Sequence, residues 1–417
     1  MEIRGPRAAM PAEEGRYGRL CARTGTKVCS FWLEGRCTRN PCRFLHVELP
    51  PPRNNKIACR HPAVKPKSGG GASNGEGSKG KDGFKPEERL CQHWASGISC
   101  VKGDKCEFRH SWSRGEGFSL LAKLDGHDKG IAGIAFPSGL DKLYTGSNDG
   151  MVKIWDCHTG QCSDTVNVGS EVGCLISEGP WVFAGLRNVI KAWNVENGAV
   201  FDLQFSSGLV FSMVVDNNML FAGCQNGDIM VWRGTSLTSP PQLLTTLKGH
   251  TRAVVSLVIG ANRLYTGSVD HTIRVWDIQN LVCITTLKGH TNVVMSVLCW
   301  DNYLLSCSLD QTIKVWAATS PGGRDLEVIY THNEDHEVLA LKGMHDMEGK
   351  PILLCSCDDD TVHLYELPTF AERGRIYSRC KVLALQVAPT GGLFFTGDGV
   401  GTLNVWKWSG ELKQGML

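Results

Sequence analysis

From about residue 119 onward the chain is written in short runs of apolar or alternating positions, separated by turns of Gly, Asp and Asn. Strict alternation over a few residues marks a strand buried on one face, and a short unbroken apolar run marks one buried on both. The runs repeat. LYTGSNDGMVKIWD (143–156), LYTGSVDHTIRVWD (264–277) and LLSCSLDQTIKVWA (304–317) are one motif. Weaker copies are VFAGLRNVIKAWN (182–194), LFAGCQNGDIMVW (220–232), LLCSCDDDTVHLY (353–365) and LFFTGDGVGTLNVW (393–406). Each copy closes on an aromatic residue: Trp155, Trp193, Trp232, Trp276, Trp316, Tyr365 and Trp406, spaced by 38, 39, 44, 40, 49 and 41 residues.

A period of about 40–45 residues with four short strands per copy is the pattern of a β-propeller blade, and seven copies predict seven blades. The fold class expected is therefore all-β. Here the sequence resembles the WD-repeat family. Gly126-His127, Gly249-His250 and Gly289-His290 stand before three copies, and Trp155-Asp156 and Trp276-Asp277 close two. The resemblance implies a hydrogen-bonded tetrad in each well-formed blade: His127/Thr145/Asp149/Trp155, His250/Thr266/Asp270/Trp276 and His290/Ser306/Asp310/Trp316. A buried His and Asp are costly unless they satisfy each other, so such a set would lock a turn against its neighbouring strand. Other blades depart from the pattern: Asn226 stands for the Asp in blade three, Cys355 for the Ser/Thr in blade six, and Val400 for the Asp in blade seven. A spare apolar run, 119–124, precedes the first Gly-His and is expected to be the outermost strand of the last blade, closing the ring.

Residues 1–118 have a different texture. Segment 64–89 is rich in Gly, Ser and Lys, with Phe84 its one aromatic, and cannot bury enough apolar area to offset the entropy of ordering. The expected organisation is a disordered segment 1–26, a small module 27–47, a flexible basic linker 48–88, a second small module 89–112 and the propeller at 117–410. Charge follows the same division. The net formal charge of +2 combines 22 Lys and Arg against 12 Asp and Glu in 1–118 with 22 against 30 in the rest. A basic arm joined to an acidic ring points to two kinds of partner. Eight of the 18 cysteines lie in the arm. MEIRGPRAAM carries charge where a signal peptide needs an apolar stretch, so an intracellular protein is expected and the arm cysteines read as metal ligands rather than disulfides.

Two sets carry the chemistry: Cys29-x7-Cys37-x4-Cys42-x3-His46 and Cys91-x8-Cys100-x5-Cys106-x3-His110. Three thiolates and an imidazole complete a tetrahedral zinc shell with no open position, so two structural zinc ions are expected. A module of this size has no core of its own, and metal binding on the order of 10–16 kcal/mol would fold it. Cys21, eight residues before Cys29, is an alternative donor to the first site, while Cys59 and His61 read as non-ligands. Both sets resemble CCCH zinc fingers, the second with that family's spacing unaltered. The resemblance implies single-stranded RNA binding, with bases stacked on Trp32 and Phe44 in the first finger and on Trp94 and Phe108 in the second. Arg43, Lys105 and Arg109 are placed to meet phosphates, and stacking contributes roughly 1–3 kcal/mol per base. The 44 residues between His46 and Cys91 argue against one rigid reading head. Two CCCH fingers ahead of a seven-bladed WD propeller resemble a plant group of CCCH/WD-repeat proteins.

No enzyme is expected. His332-Asn-Glu-Asp-His336 is not H-E-x-x-H and reads as a blade loop. Cys355 and Cys357 fall on one strand face as packing residues, and one of Asp358–Asp360 is a turn residue with the others solvated. Gly77–Lys81 lacks the strand–loop–helix frame of a phosphate loop. The sequence supports a zinc-dependent RNA-binding adaptor whose propeller recruits protein partners, in the nucleus rather than the cytoplasm, with no membrane and no small-molecule substrate. The alternatives are a DNA-binding or chromatin/transcription scaffold and a ubiquitin-ligase substrate receptor. Propellers of the last kind usually show a basic residue three positions after the blade's closing aromatic. Here His158, Glu196, Thr235, Gln279, Thr319, Pro368 and Ser409 stand there, none of them Lys or Arg.

Overall fold

The computed structural model describes residues 89–138, 141–234, 240–318, 325–389 and 392–408. The first finger's Cys29, Cys37, Cys42 and His46, with Trp32, Arg43 and Phe44, lie outside the described residues, as do segments 1–26 and 48–88.

The strands form a seven-bladed propeller. Blade one is Ile131–Ala135, Lys142–Ser147, Met151–Asp156 and Cys162–Asn167, in order from the axis outward. Blades four (Val254–Gly260 to Val282–Lys288) and five (Val294–Trp300 to Leu326–Asn333) repeat this antiparallel meander. The innermost strands touch their neighbours in a closed cycle around the axis. Each blade is sandwiched between two others, so its second strand is buried on both faces; Leu143–Ser147 is buried throughout, which is why that stretch reads as an unbroken small and apolar run. The outermost strand faces water, and Cys162–Asn167 is exposed along its whole length.

Blades two and three differ from the others in being one sheet. A single strand, Val200–Asp216, pairs with Arg187–Asn194 through its first half and with Met219–Cys224 through its second. The register shifts between Gln204 and Leu209, where Gly208 takes φ +86°, and the chain passes from the rim of one blade to the axis of the next without a loop.

The ring closes as the spare apolar run predicts. Phe118–Asp125 pairs antiparallel with Thr402–Trp408, from Phe118 opposite Trp408 to Asp125 opposite Thr402. Phe118 stacks on Trp408 at 5.6 Å and meets Trp406 edge-on at 6.3 Å.

All three expected tetrads form. In blade one His127 Nδ1 is 2.8 Å from Asp149 Oδ2, His127 Nε2 2.8 Å from Thr145 Oγ1, and Trp155 Nε1 2.8 Å from the same hydroxyl. An indole N–H can only donate, so Thr145 Oγ1 accepts from Trp155, and a carboxylate can only accept, so His127 donates from Nδ1 to Asp149. Blade four repeats this at 2.8, 2.7 and 3.0 Å, and blade five at 2.9, 2.8 and 2.8 Å.

Blade seven replaces the missing turn Asp by another route. Val400 holds the expected position, but Asp398, two residues earlier, accepts the Val400 and Thr402 amides at 3.1 and 2.9 Å. The expectation that two of Asp358–Asp360 are solvated is not met. Asp359 caps its turn through the Thr361 hydroxyl at 2.6 Å. Asp358 lies 3.7 Å from both His336 and Lys381. Asp360 sits at φ +70°, where burial beside Asp359 pushes its carboxyl up to about 6.

Candidate zinc centre and nucleic-acid interface

The second finger is built from very little regular structure. Cys91 opens a four-residue helix, Gln92–Ala95, whose last residue donates its amide to the Cys91 carbonyl at 2.8 Å. Gly97 and Gly103 take positive φ and let the chain reverse twice, and a single 3₁₀ turn, Gly103–Lys105, delivers Cys106. The return leg closes on the entry leg: Leu90 bridges Arg109, the Cys91 amide reaches the Arg109 carbonyl at 2.9 Å, and the Arg109 amide reaches Arg89 at 2.8 Å.

These turns gather the four donors. The ligand atoms of Cys91, Cys100, Cys106 and His110 all lie within 4.8 Å of one another. No disulfide links the cysteines. His110 Nε2 is buried without a hydrogen-bond partner among the described residues. Backbone hydrogen bonding from Lys102 brings the Cys100 thiol down to about 7, while burial raises that of Cys106. Three sulfurs and an imidazole with an orphaned nitrogen fit a zinc ion, which would hold the thiolates together and act as the module's core.

The finger is fastened to the propeller by an arrangement that the sequence did not announce. Directly after His110 the chain forms the strand Ser113–Gly115, which pairs with Ala371–Tyr377 and gives blade six a fifth strand. Tyr377, 2% exposed, is the centre of the junction, packed with Leu90, Ala95, Trp94 and Trp112. The Arg109 guanidinium lies 4.9 Å over the Tyr377 ring, and the Tyr377 amide donates to the Trp112 carbonyl at 2.9 Å. Arg114 pairs with Glu372 at 2.9 Å. Lys123, on the ring-closing strand, places its ammonium over the Trp112 ring, and burial with Arg379 nearby brings its pKa down to about 8. Glycine is required at the crossing: a Cβ on Gly374 would run into Arg114 O and the Phe118 ring. Trp112, Lys123 and Tyr377 were missed because no single one of them belongs to a motif; the only signal was an aromatic placed two residues beyond the last ligand.

The residues expected to contact nucleic acid fall into two groups. Trp94 lies parallel to His110 (5.9 Å, 4°) and against Trp112 (5.1 Å), so it packs within the junction, and Arg109 covers Tyr377. Lys105 is exposed and Phe108 half-buried. Beside them Lys102 is exposed, and two apolar side chains stand out into solvent, Ile98 at 59% and Val101 at 99%. Among the described residues no helix is long and apolar enough to cross a membrane.

Comparison with known proteins agrees with both parts. The family described as WD domain, G-beta repeat matches residues 118–156, 241–277 and 281–317. These are the three copies whose tetrads are complete. Zinc finger CCCH domain-containing protein 17 of Oryza sativa subsp. japonica is 49% identical, over 94% of this chain and 93% of its own. Zinc finger CCCH domain-containing protein 48 of Arabidopsis thaliana is 51% identical over 92% of each chain. Zinc finger CCCH domain-containing protein 63 of the same plant is 48% identical over 93% and 92%. CCCH fingers suggest nucleic-acid binding, and a WD propeller suggests a scaffold for protein interaction. With its zinc-type donor set docked on a seven-bladed ring, the chain belongs to the plant family of CCCH zinc-finger proteins that carry a WD-repeat β-propeller.

Proposed function

We propose that the protein is a non-catalytic adaptor that binds single-stranded RNA through its zinc fingers and recruits protein partners on its propeller, acting in the nucleus. Two structural zinc ions would serve it, one in each finger. The observation that carries this reading is the docked second finger. Its inner side is packed on blade six, while its outer side presents Lys102, Lys105, Ile98 and Val101 to solvent, with Phe108 beside them. Apolar side chains next to ammonium groups suit unstacked bases joined by phosphates. The finger's helix is four residues, about 6 Å long, which is too short to read a major groove; that disfavours duplex DNA. Docking also brings any bound RNA next to the rim of the propeller, as an adaptor requires.

Fluorescence anisotropy of the full chain tests the reading. Single-stranded RNA is expected to bind more tightly than duplex DNA of equal length, and affinity should fall steeply with salt. Cys106→Ser or chelation should weaken binding at least tenfold, and Phe108→Ala and Lys105→Ala each several-fold. Equal or tighter binding to duplex DNA would favour the DNA-scaffold alternative, and no RNA binding by the zinc-loaded chain would end the proposal.

A further inference from the structure

Blade six keeps the turn aspartate of the tetrad, Asp359, but replaces its other three members at once. The pairing fixes the equivalences. Val338 opposite Cys357 matches Ile131 opposite Ser147, Val254 opposite Ser268 and Val294 opposite Ser308. Cys357 therefore takes the serine's place. Glu334, four residues before Val338, stands where His127, His250 and His290 stand before their strands. Cys355 replaces Thr145, Thr266 and Ser306, and the residue opposite it is His363, where the other blades carry Lys153, Arg274 and Lys314. Tyr365 takes the tryptophan's position.

The replacements share a chemical character, since nearly all are metal donors, and they converge. The ligand atoms of Glu334, Cys357 and His363 lie within 4.8 Å of one another, and all three residues are buried. Glu334 Oε2 is 3.2 Å from His363 Nδ1, Cys355 Sγ is 3.6 Å from Glu334 Oε1, and the two sulfurs are 3.9 Å apart. Bonds of about 2.0–2.3 Å at tetrahedral angles give donor–donor edges of roughly 3.3–3.8 Å, close to these separations.

Two further observations point to a cation as their partner. Glu334 is 9% exposed, and its ion-pair partners among the described residues are imidazoles, His363 and His332, rather than Lys or Arg. His363 is 4% exposed; its Nδ1 faces both Glu334 Oε2 and, at 2.8 Å, the Tyr365 hydroxyl, and its Nε2 has no hydrogen-bond partner among the described residues. An ion at this site would neutralise the carboxylate and fix the imidazole, as the His–Asp pair does in blades one, four and five.

We propose that Glu334, Cys357 and His363, with Cys355 as the adjoining thiol, form a metal site inside blade six that takes a zinc-class divalent ion. Sulfur and nitrogen donors select that class and exclude Ca²⁺ and Mg²⁺, which require oxygen shells. The site is separate from the fingers and independent of what they bind.

The test is metal content of the full chain purified with Zn²⁺, and the thiolate-to-metal absorption of the Co²⁺-substituted chain. Cys357→Ser installs the residue that blades one, four and five already carry there, so the blade should still fold. It should lower bound metal by one ion per chain and remove part of the Co²⁺ thiolate band, leaving anisotropy with RNA unchanged. His363→Gln should also remove one ion. A triple variant, Glu334→His with Cys355→Thr and Tyr365→Trp, should lose the ion while keeping or raising thermal stability. Metal content unchanged by both Cys357→Ser and His363→Gln would overturn the proposal and leave Glu334, His363 and Tyr365 as a hydrogen-bonded substitute for the tetrad.

Discussion

Phe118 offers the sharpest test of how the ring is held shut. It is 6% exposed, stacks on Trp408, meets Trp406 edge-on, and comes from the far end of the chain relative to both. Phe118→Ala removes a buried ring where the backbone is pinned by seven strand pairs to 402–408 and cannot easily collapse into the gap. Truncating a buried Phe in such a setting costs about 3–5 kcal/mol, part transfer energy and part cavity. The same strand supplies its control. Leu121 sits at the register shift between Leu120 and Ala122 and is 59% exposed, so Leu121→Ala should stay within about 0.5 kcal/mol of the parent. Urea unfolding followed by tryptophan fluorescence measures both, comparing midpoints at constant slope. If Phe118→Ala is no worse than Leu121→Ala, the ring is not closed by this strand. Removing 117–124 outright should be more damaging still, because it leaves Thr402–Trp408 as an unpaired edge.

Three other outcomes follow from the geometry. Thr266→Val strips a buried His250 nitrogen and the Trp276 indole of their partners and should cost about 2–5 kcal/mol; Thr396→Val in blade seven, where Trp406 alone is bound, should cost about half as much by the same urea assay. Burial would raise Asp270 and Asp310, but hydrogen bonds from their histidines, from Thr272 and Thr312, and from backbone amides hold both well below the usual carboxylate range. A lowered native pKa contributes stability above the unfolded value of about 3.9 and loses it as pH falls past that point, so the urea midpoint should drop between about pH 4 and pH 2, and less so in Asp270→Asn. Chelating zinc should lower the melting temperature of the propeller itself, because the finger is docked on blades six and seven; in Trp112→Ala that dependence should shrink, and an equal chelator effect in both proteins would show that the junction transmits nothing.

Much of the architecture is written locally. A blade is a meander whose strands are neighbours in sequence, so its apolar runs, its turn residues and the period of its closing aromatics appear in order along the chain. The tetrads are equally legible, since His127, Thr145, Asp149 and Trp155 lie within 29 residues. The donor set of the second finger is legible for the same reason: its spacing alone suffices to bring three sulfurs and an imidazole together. What the sequence could not supply is whatever depends on two distant segments meeting. Trp112, Lys123 and Tyr377 become a junction only when blade six accepts a fifth strand from the finger's tail. Glu334 and His363 look like a loop acid and a strand histidine until the register of Val338 with Cys357 sets them side by side. Periodicity determined the ring and spacing determined the zinc knot; the docking of one on the other, and the ligand-rich interior of blade six, were decided by tertiary packing, because burial and pairing across the fold give those side chains their partners.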